Sequence, residues 1–217
     1  GSVVLADIDS PNFGGGSVTV TIANVVVAED LLGIRNQGAA DGQISVSGSN
    51  VSYNPVGAAL SVVIGTISGG SGSAPLVVTL NANASVAAVD ALLQNITYGN
   101  ASQLPTTTTR NLTITVVDGD GTANGGADTV STNVNVNITR VNDAPLFTAL
   151  NGGVVNTTEG AAAVLLDTNA TVNDPELGSG FVGAINNMGG AVLTLARVGG
   201  ANAQDQFSAS GGTLSLA

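Results

Sequence analysis

The chain has no cysteine, no histidine, no lysine and no tryptophan, and its only cations are Arg35, Arg110, Arg140 and Arg197. Each absence removes a chemistry. Without cysteine there is no disulfide, no thiolate nucleophile and no thiolate zinc site, and without histidine the commonest metal ligand and general base is missing. Without lysine there is no Lys-to-Asn isopeptide crosslink. Fifteen acids against four arginines leave a net charge of -11 over 217 residues. That balance argues against a nucleic-acid partner, because neutralising phosphates takes Lys and Arg, and it favours a self-repelling surface that attracts divalent cations. No apolar run approaches the roughly 18 residues that would span a membrane, and no charged-then-apolar leader opens the sequence. Whatever stiffens this chain is therefore its core or a metal bound through oxygens.

What remains is a hydrophobic fraction of 43% built from Val, Ala, Leu and Ile in short runs separated by glycine. Residues 17–22 (Ser, Val, Thr, Val, Thr, Ile) alternate polar and apolar, the period-2 pattern of a half-buried strand. The same reading predicts strands over 43–48, 50–53, 60–67, 76–80, 96–98, 111–117 and 129–139, with a short strand at 3–6 ahead of a Pro- and Gly-rich loop. One segment departs from it. Val86, Val89, Leu92 and Leu93 recur at helical spacing after Ser85, which predicts a short capped helix over an edge of the sheets. Many short strands, Gly-rich turns and hardly any helix predict an all-β sandwich.

An internal repeat organises the chain. Thr21-Ile22-Ala23-Asn24 with Ala28-Glu29-Asp30 has a counterpart in Thr194-Leu195-Ala196-Arg197 with Ala203-Gln204-Asp205. The acidic loop Asp7-Ile8-Asp9 likewise has a counterpart in Asp174-Pro175-Glu176, 167 residues further on. Between the copies, Val141-Asn142-Asp143-Ala144-Pro145-Leu146-Phe147 follows an alternating strand and reads as a joint. Residues 1–143 are thus expected to form one module lacking its opening strands, and 144–217 the opening part of a second.

The joint resembles the inter-repeat linker of cadherin-like and VCBS-like modules in very large repetitive bacterial surface proteins, including RTX-type adhesins exported by type I secretion. Asp7-Ile8-Asp9-Ser10-Pro11-Asn12-Phe13, Leu93-Gln94-Asn95-Ile96-Thr97-Tyr98, Asp118-Gly119-Asp120-Gly121, Thr158-Glu159-Gly160 and the stretch from Gly199 to Phe207 are similar to those modules, and in the same order. The resemblance implies tandem Ig-like, cadherin-like Greek-key sandwiches. It also implies calcium at the junctions, held by the linker, by the acidic loop of the following module and by acids of the preceding one. Calcium takes about six to eight oxygen ligands from carboxylates, carbonyls and water. Carried onto this sequence, the ligands are Asn142 and Asp143 in the linker, Asp174 and Glu176 in the second acidic loop, Asp7 and Asp9 in the first, and Asp118 and Asp120 at the end expected to lie beside Asp7 and Asp9. The chain departs from the pattern in having a single Asn-Asp and in Pro175-Glu176, which implies fewer or weaker ions.

Each feature also has a plainer reading. Asp-Gly-Asp-Gly is an ordinary turn composition, Asn-Asp-Ala-Pro is a stiff extended segment ahead of Pro145, and Glu159 reads as a solvated strand edge. The run from Thr106 to Thr109 reads as a loop. The expected function is a structural and adhesive repeat of an extracellular, secreted bacterial surface fibre. Its partners would be neighbouring repeats of the same polypeptide, other copies in a fibre, and cell-surface or matrix glycans. The alternatives are a carbohydrate- or surface-binding sandwich, disfavoured by only two tyrosines (Tyr53 and Tyr98) and no tryptophan for sugar stacking, and a subunit of a strand-exchanged filament. An enzyme is not expected, because only paired carboxylates remain for catalysis and the acids fall in repeated turn positions.

Overall fold

The structure, a computed structural model, describes residues 12–122, 127–150, 152–176, 190–200 and 202–207. The chain divides into two compact units, Gly1–Glu176 and Leu177–Ala217. In the first, strands β1 (Ser17–Ile22), β2 (Asp30–Ile34), β3 (Ile44–Ser47), β4 (Asn50–Tyr53), β5 (Val62–Ser68) and β6 (Leu76–Leu80) precede helix α1 (Val86–Leu93). Strands β7 (Ile96–Asn100), β8 (Arg110–Val117), β9 (Thr129–Val136), β10 (Leu146–Thr148) and β11 (Thr171–Asn173) follow it.

A seven-stranded antiparallel sheet in the order β3-β4-β5-β6-β1-β8-β9 forms one layer of an all-β sandwich. The alternation in the sequence decides its faces. Val18 and Val20 of β1 turn inward, as do Leu112 and Val116 of β8, while Ser17, Thr19 and Thr21 take the other parity. The opposing layer is the two-stranded β2-β7 sheet together with α1. Ala88, Val89 and Leu92 of the helix are fully buried against Val18, Ile44, Ile64 and Val78. Leu32, Ile34, Ile96 and Tyr98 of β2 and β7 pack on Val20, Leu76 and Leu112. Ser85 caps the helix, its hydroxyl accepting from the Ala88 N–H at 3.3 Å, as the spacing predicts.

Strand β2 has no counterpart in the sequence reading. Asp-Leu-Leu-Gly-Ile does not alternate, and a glycine inside a strand weakens its signal; five pairings with β7, from Asp30↔Asn100 to Ile34↔Ile96, hold it instead. Strand β9 alternates as expected but is largely exposed, Val130 by 54% and Val134 by 44%. It is the edge strand of the large sheet, and the opposing layer of only two strands and a helix leaves those two valines uncovered.

Beyond β9, the chain forms the small antiparallel hairpin β10-β11, with Leu146 opposite Asn173 and Thr148 opposite Thr171. The strand expected at 3–6 lies outside the described residues. In the second unit the described residues carry no regular strand. The Ala203-Gln204-Asp205 counterpart forms a turn, Asp205 N–H donating to the Asn202 carbonyl, and Asp205 pairs with Arg197 at 2.7 Å.

Candidate metal centre at the linker

The pairing of β10 with β11 is what builds the candidate site. Because Leu146 lies opposite Asn173, residues 143–145 run in along one strand as 174–176 leave the other. Asp143 and the acidic loop, some 30 positions apart in sequence, are thereby brought side by side. Asp174 organises the loop locally: its Oδ1 accepts the Glu176 N–H at 3.1 Å, closing an Asx turn over Pro175.

Glu176 is almost wholly buried, at 1% exposure, while Asp143, Asp174 and Pro175 are half-buried. Burial pushes the Glu176 carboxyl above its ordinary value. A hydrogen bond shared with Asp174 and the negative charge of Asp143 push in the same direction, against hydrogen bonds from the backbone of Glu176 and Asp143. Glu176 thus meets two other carboxylates, Asp174 through a hydrogen bond and Asp143 through its charge. Asn142 is exposed and its Nδ2 donates to the Asp143 carbonyl at 2.8 Å, so its amide bridges the linker backbone. The donor set is oxygen only, the chemistry suited to calcium or magnesium rather than to zinc or copper. As they stand, the described residues contain no group of three or more Asp, Glu, His or Cys arranged to hold a metal ion. Asp143, Asp174 and Glu176 converge in pairs, through Glu176.

The other predicted ligands fall differently. Asp7 and Asp9 lie outside the described residues. Asp118 and Asp120 form a turn in which Asp118 Oδ1 accepts the Asp120 N–H at 3.2 Å and the Asp118 N–H donates to the Asp128 carbonyl. That loop does meet the Gly-rich stretch that follows the first acidic loop. A Cβ on Gly119 would fall against the Gly16 nitrogen and the Gly14 carbonyl, and one on Gly16 against the Val117 carbonyl. Backbone therefore packs on backbone there, and only glycine fits.

A second polar cluster is absent from the sequence reading. Arg110, fully buried at the start of β8, donates from Nε to Asp30 at 2.7 Å and from Nη2 to Glu29 at 3.0 Å. Tyr98 Oη donates to Asp30 at 2.6 Å. Glu29 also accepts from the Thr106 N–H at 2.9 Å and the Thr106 hydroxyl at 2.8 Å. Burial alone would raise the carboxyl of Asp30. Hydrogen bonds from Arg110, Tyr98 and the Val26 N–H, with the Arg110 charge, outweigh it and hold the group below its ordinary value. Glu29 is lowered in the same way, burial being overcome by Thr106, Asn100 and Arg110, and Tyr98 is raised by burial and by its bond to Asp30. One signal in the sequence could have found this cluster. Arg110 has the same strand parity as Leu112 and Val116, which places a guanidinium on the core face and so demands buried acids.

Compared with protein families, curated proteins and solved structures, the chain matches none. No helix among the described residues is long and apolar enough to cross a membrane.

Proposed function

We propose that this chain is a structural and adhesive repeat segment of an extracellular bacterial surface fibre, stiffened where modules join by a calcium ion taken up at Asp143, Asp174 and Glu176, with Asn142 beside them. The observation that carries the reading is the register Leu146↔Asn173, which sets a linker carboxylate against two loop carboxylates 31 and 33 positions away. Crowding of the buried Glu176 carboxyl by Asp143 and Asp174 is a cost to the ion-free hairpin, and a hard cation would turn it into attraction. Carboxylate and backbone oxygens from Asn142 to Pro145 and from Asp174 to Glu176 would supply the ligands, with water completing the shell. Bound calcium would add stability by mass action, about 2.7 kcal/mol at a hundredfold excess over Kd.

Calorimetric titration with calcium, paired with small-angle scattering, tests it. The expected result is heat of binding together with a narrower range of molecular lengths, both lost in the double variant Asp174→Asn, Glu176→Gln. Absence of binding heat with scattering unchanged by chelator would sink the reading.

A second reading, assembly by strand addition, is favoured by one observation. The eight-residue edge strand β9 exposes Val130 and Val134 on its core-facing side, and an unpaired edge accepts strands. Light scattering decides it: concentration-dependent oligomers that Val134→Lys abolishes would support it, and monomers at high concentration would reject it.

A further inference from the structure

We infer that Arg140 and Glu29 are positioning residues that clamp the exit of the linker onto the first module without help from any cation; the inference rests on the linker being a functional joint, as proposed above. The elements of the clamp are high in contact and low in freedom. The loop from Ala101 to Thr109 crosses from β7 to β8 beside the point where the chain leaves β9. A loop of that length with no secondary structure is ordinarily mobile, yet this one is tied along its length.

Its first residue donates from the backbone N–H to the Glu29 carbonyl at 2.8 Å. Asn100 Oδ1 accepts the Ser102 N–H at 2.9 Å, and Ser102 Oγ accepts the Leu104 N–H at 3.1 Å. In the middle, the Glu29 carboxylate takes both the N–H and the hydroxyl of Thr106. At the far end the Thr108 carbonyl accepts from Arg110 Nη1 and the Thr109 carbonyl from Asn24 Nδ2. Glu29 is itself held by the buried Arg110 at 3.0 Å, so the loop inherits the rigidity of a charge network anchored in the core.

The linker is then attached to that loop. Arg140, two residues before Asn142, donates from Nε to the carbonyl of Pro105 at 2.8 Å. Pro105 is buried, so its surroundings restrict the movement of the acceptor. Beyond Arg140, Val141 and Asp143 line a groove of about 240 Å³ whose other wall is Asn100, Ser102 and Gln103. A guanidinium suits this task, because its planar, poorly hydrated fork loses less freedom per bond than an ammonium. Of the four cations in the chain, one is spent in the core and another here, at the last residue before the joint. The direction in which the chain leaves the module is therefore set by Glu29, Thr106, Pro105 and Arg140, and a cation at Asp143 would bind to a linker already aimed.

The absence of native cysteine makes the test clean. Spin labels at Thr66→Cys, exposed on β5, and Val154→Cys, exposed in the connection between β10 and β11, report the distance across the linker by pulsed electron resonance. In chelator, the parent pair is expected to give a single narrow distance peak. Arg140→Ala and Glu29→Gln should lose that peak while the melting temperature of the Arg140→Ala protein stays at the parent value, and Arg140→Lys should recover part of it. Arg35→Ala, whose side chain bonds Asn95 elsewhere in the module, should leave the peak intact. An unchanged narrow peak in Arg140→Ala, or a broad peak in the parent, overturns the clamp. Addition of calcium separates the two readings: if the parent and Arg140→Ala distributions both ignore calcium, the calcium reading fails while the chelator comparison still judges the clamp.

Discussion

At the scale of single residues, the most consequential is Arg110. A fully buried guanidinium is tolerated only because Asp30 and Glu29 meet it and Tyr98 and Thr106 complete the bonding. Removing one partner of a buried pair strands the other, at a cost of roughly 3–5 kcal/mol. Arg110→Met is expected to lose that much in denaturant unfolding, and Tyr98→Phe, which takes one hydrogen bond from a charged acceptor, roughly 1.5–3 kcal/mol. The pH dependence has a definite sign. Asp30 and Glu29 are held below their ordinary values in the fold, so their contribution is complete above the unfolded carboxylate range and is lost as pH falls through the depressed values. Acid unfolding should set in below about pH 4, and Glu29→Gln should flatten that limb when melting temperature is followed against pH.

Elements bring in constraints that no single residue carries. The helix α1 is only eight residues long, too short to stand alone in water, and exists because Ala88, Val89 and Leu92 fill the core over β3 and its neighbours. Ser85→Ala removes its cap and should cost about 1 kcal/mol. Leu92→Ala opens a void in the main cluster and should cost about 2–5 kcal/mol, both read from denaturant midpoints. The loop Asp118–Gly121 belongs to the same scale. Gly119 has φ of 88° and its missing Cβ leaves room for the backbone of Gly14 to Gly16. Gly119→Ala should therefore be among the more destabilising changes on the surface, by thermal melting, whereas Gly121→Ala, with the same φ but open space around it, should cost only the strain of a positive φ.

For the whole molecule, two groups of acids stand in opposite surroundings. Asp30 and Glu29 neutralise a buried arginine, while Glu176 meets Asp143 and Asp174 with no cationic side chain among the groups that shift it. Three of the fifteen acids lie where the chain leaves one set of strands for the next. If calcium resides there, adding chelator should lower the melting temperature and broaden the length distribution together, and high salt should do neither to the same degree, because a partly buried site is screened less than the surface.

The strands of the large sheet, strand β7, the helix with its cap and the sandwich class were legible in the sequence, because periods of 2 and 3.6 are local properties that each segment carries by itself. So was the chemistry excluded by missing Cys, His and Lys. Strands β2, β10 and β11 were not: a non-alternating Leu-Leu-Gly-Ile run becomes a strand only through its partner β7, and strands of three residues are too short to show a period. Neither was the Arg110 network, which joins residues 80 positions apart; parity hinted at a buried guanidinium, but the acids that meet it depend on how two layers stack. The joint stands between these cases. Its acids and their repeat can be read directly, but the side-by-side placement of Asp143 and Glu176 follows from the register of β10 on β11. The anchoring of Arg140 on Pro105 follows from a loop folded by a distant carboxylate. Register and layer stacking depend on pairings between distant segments, whose energy no local pattern encodes, and only the tertiary structure decides them.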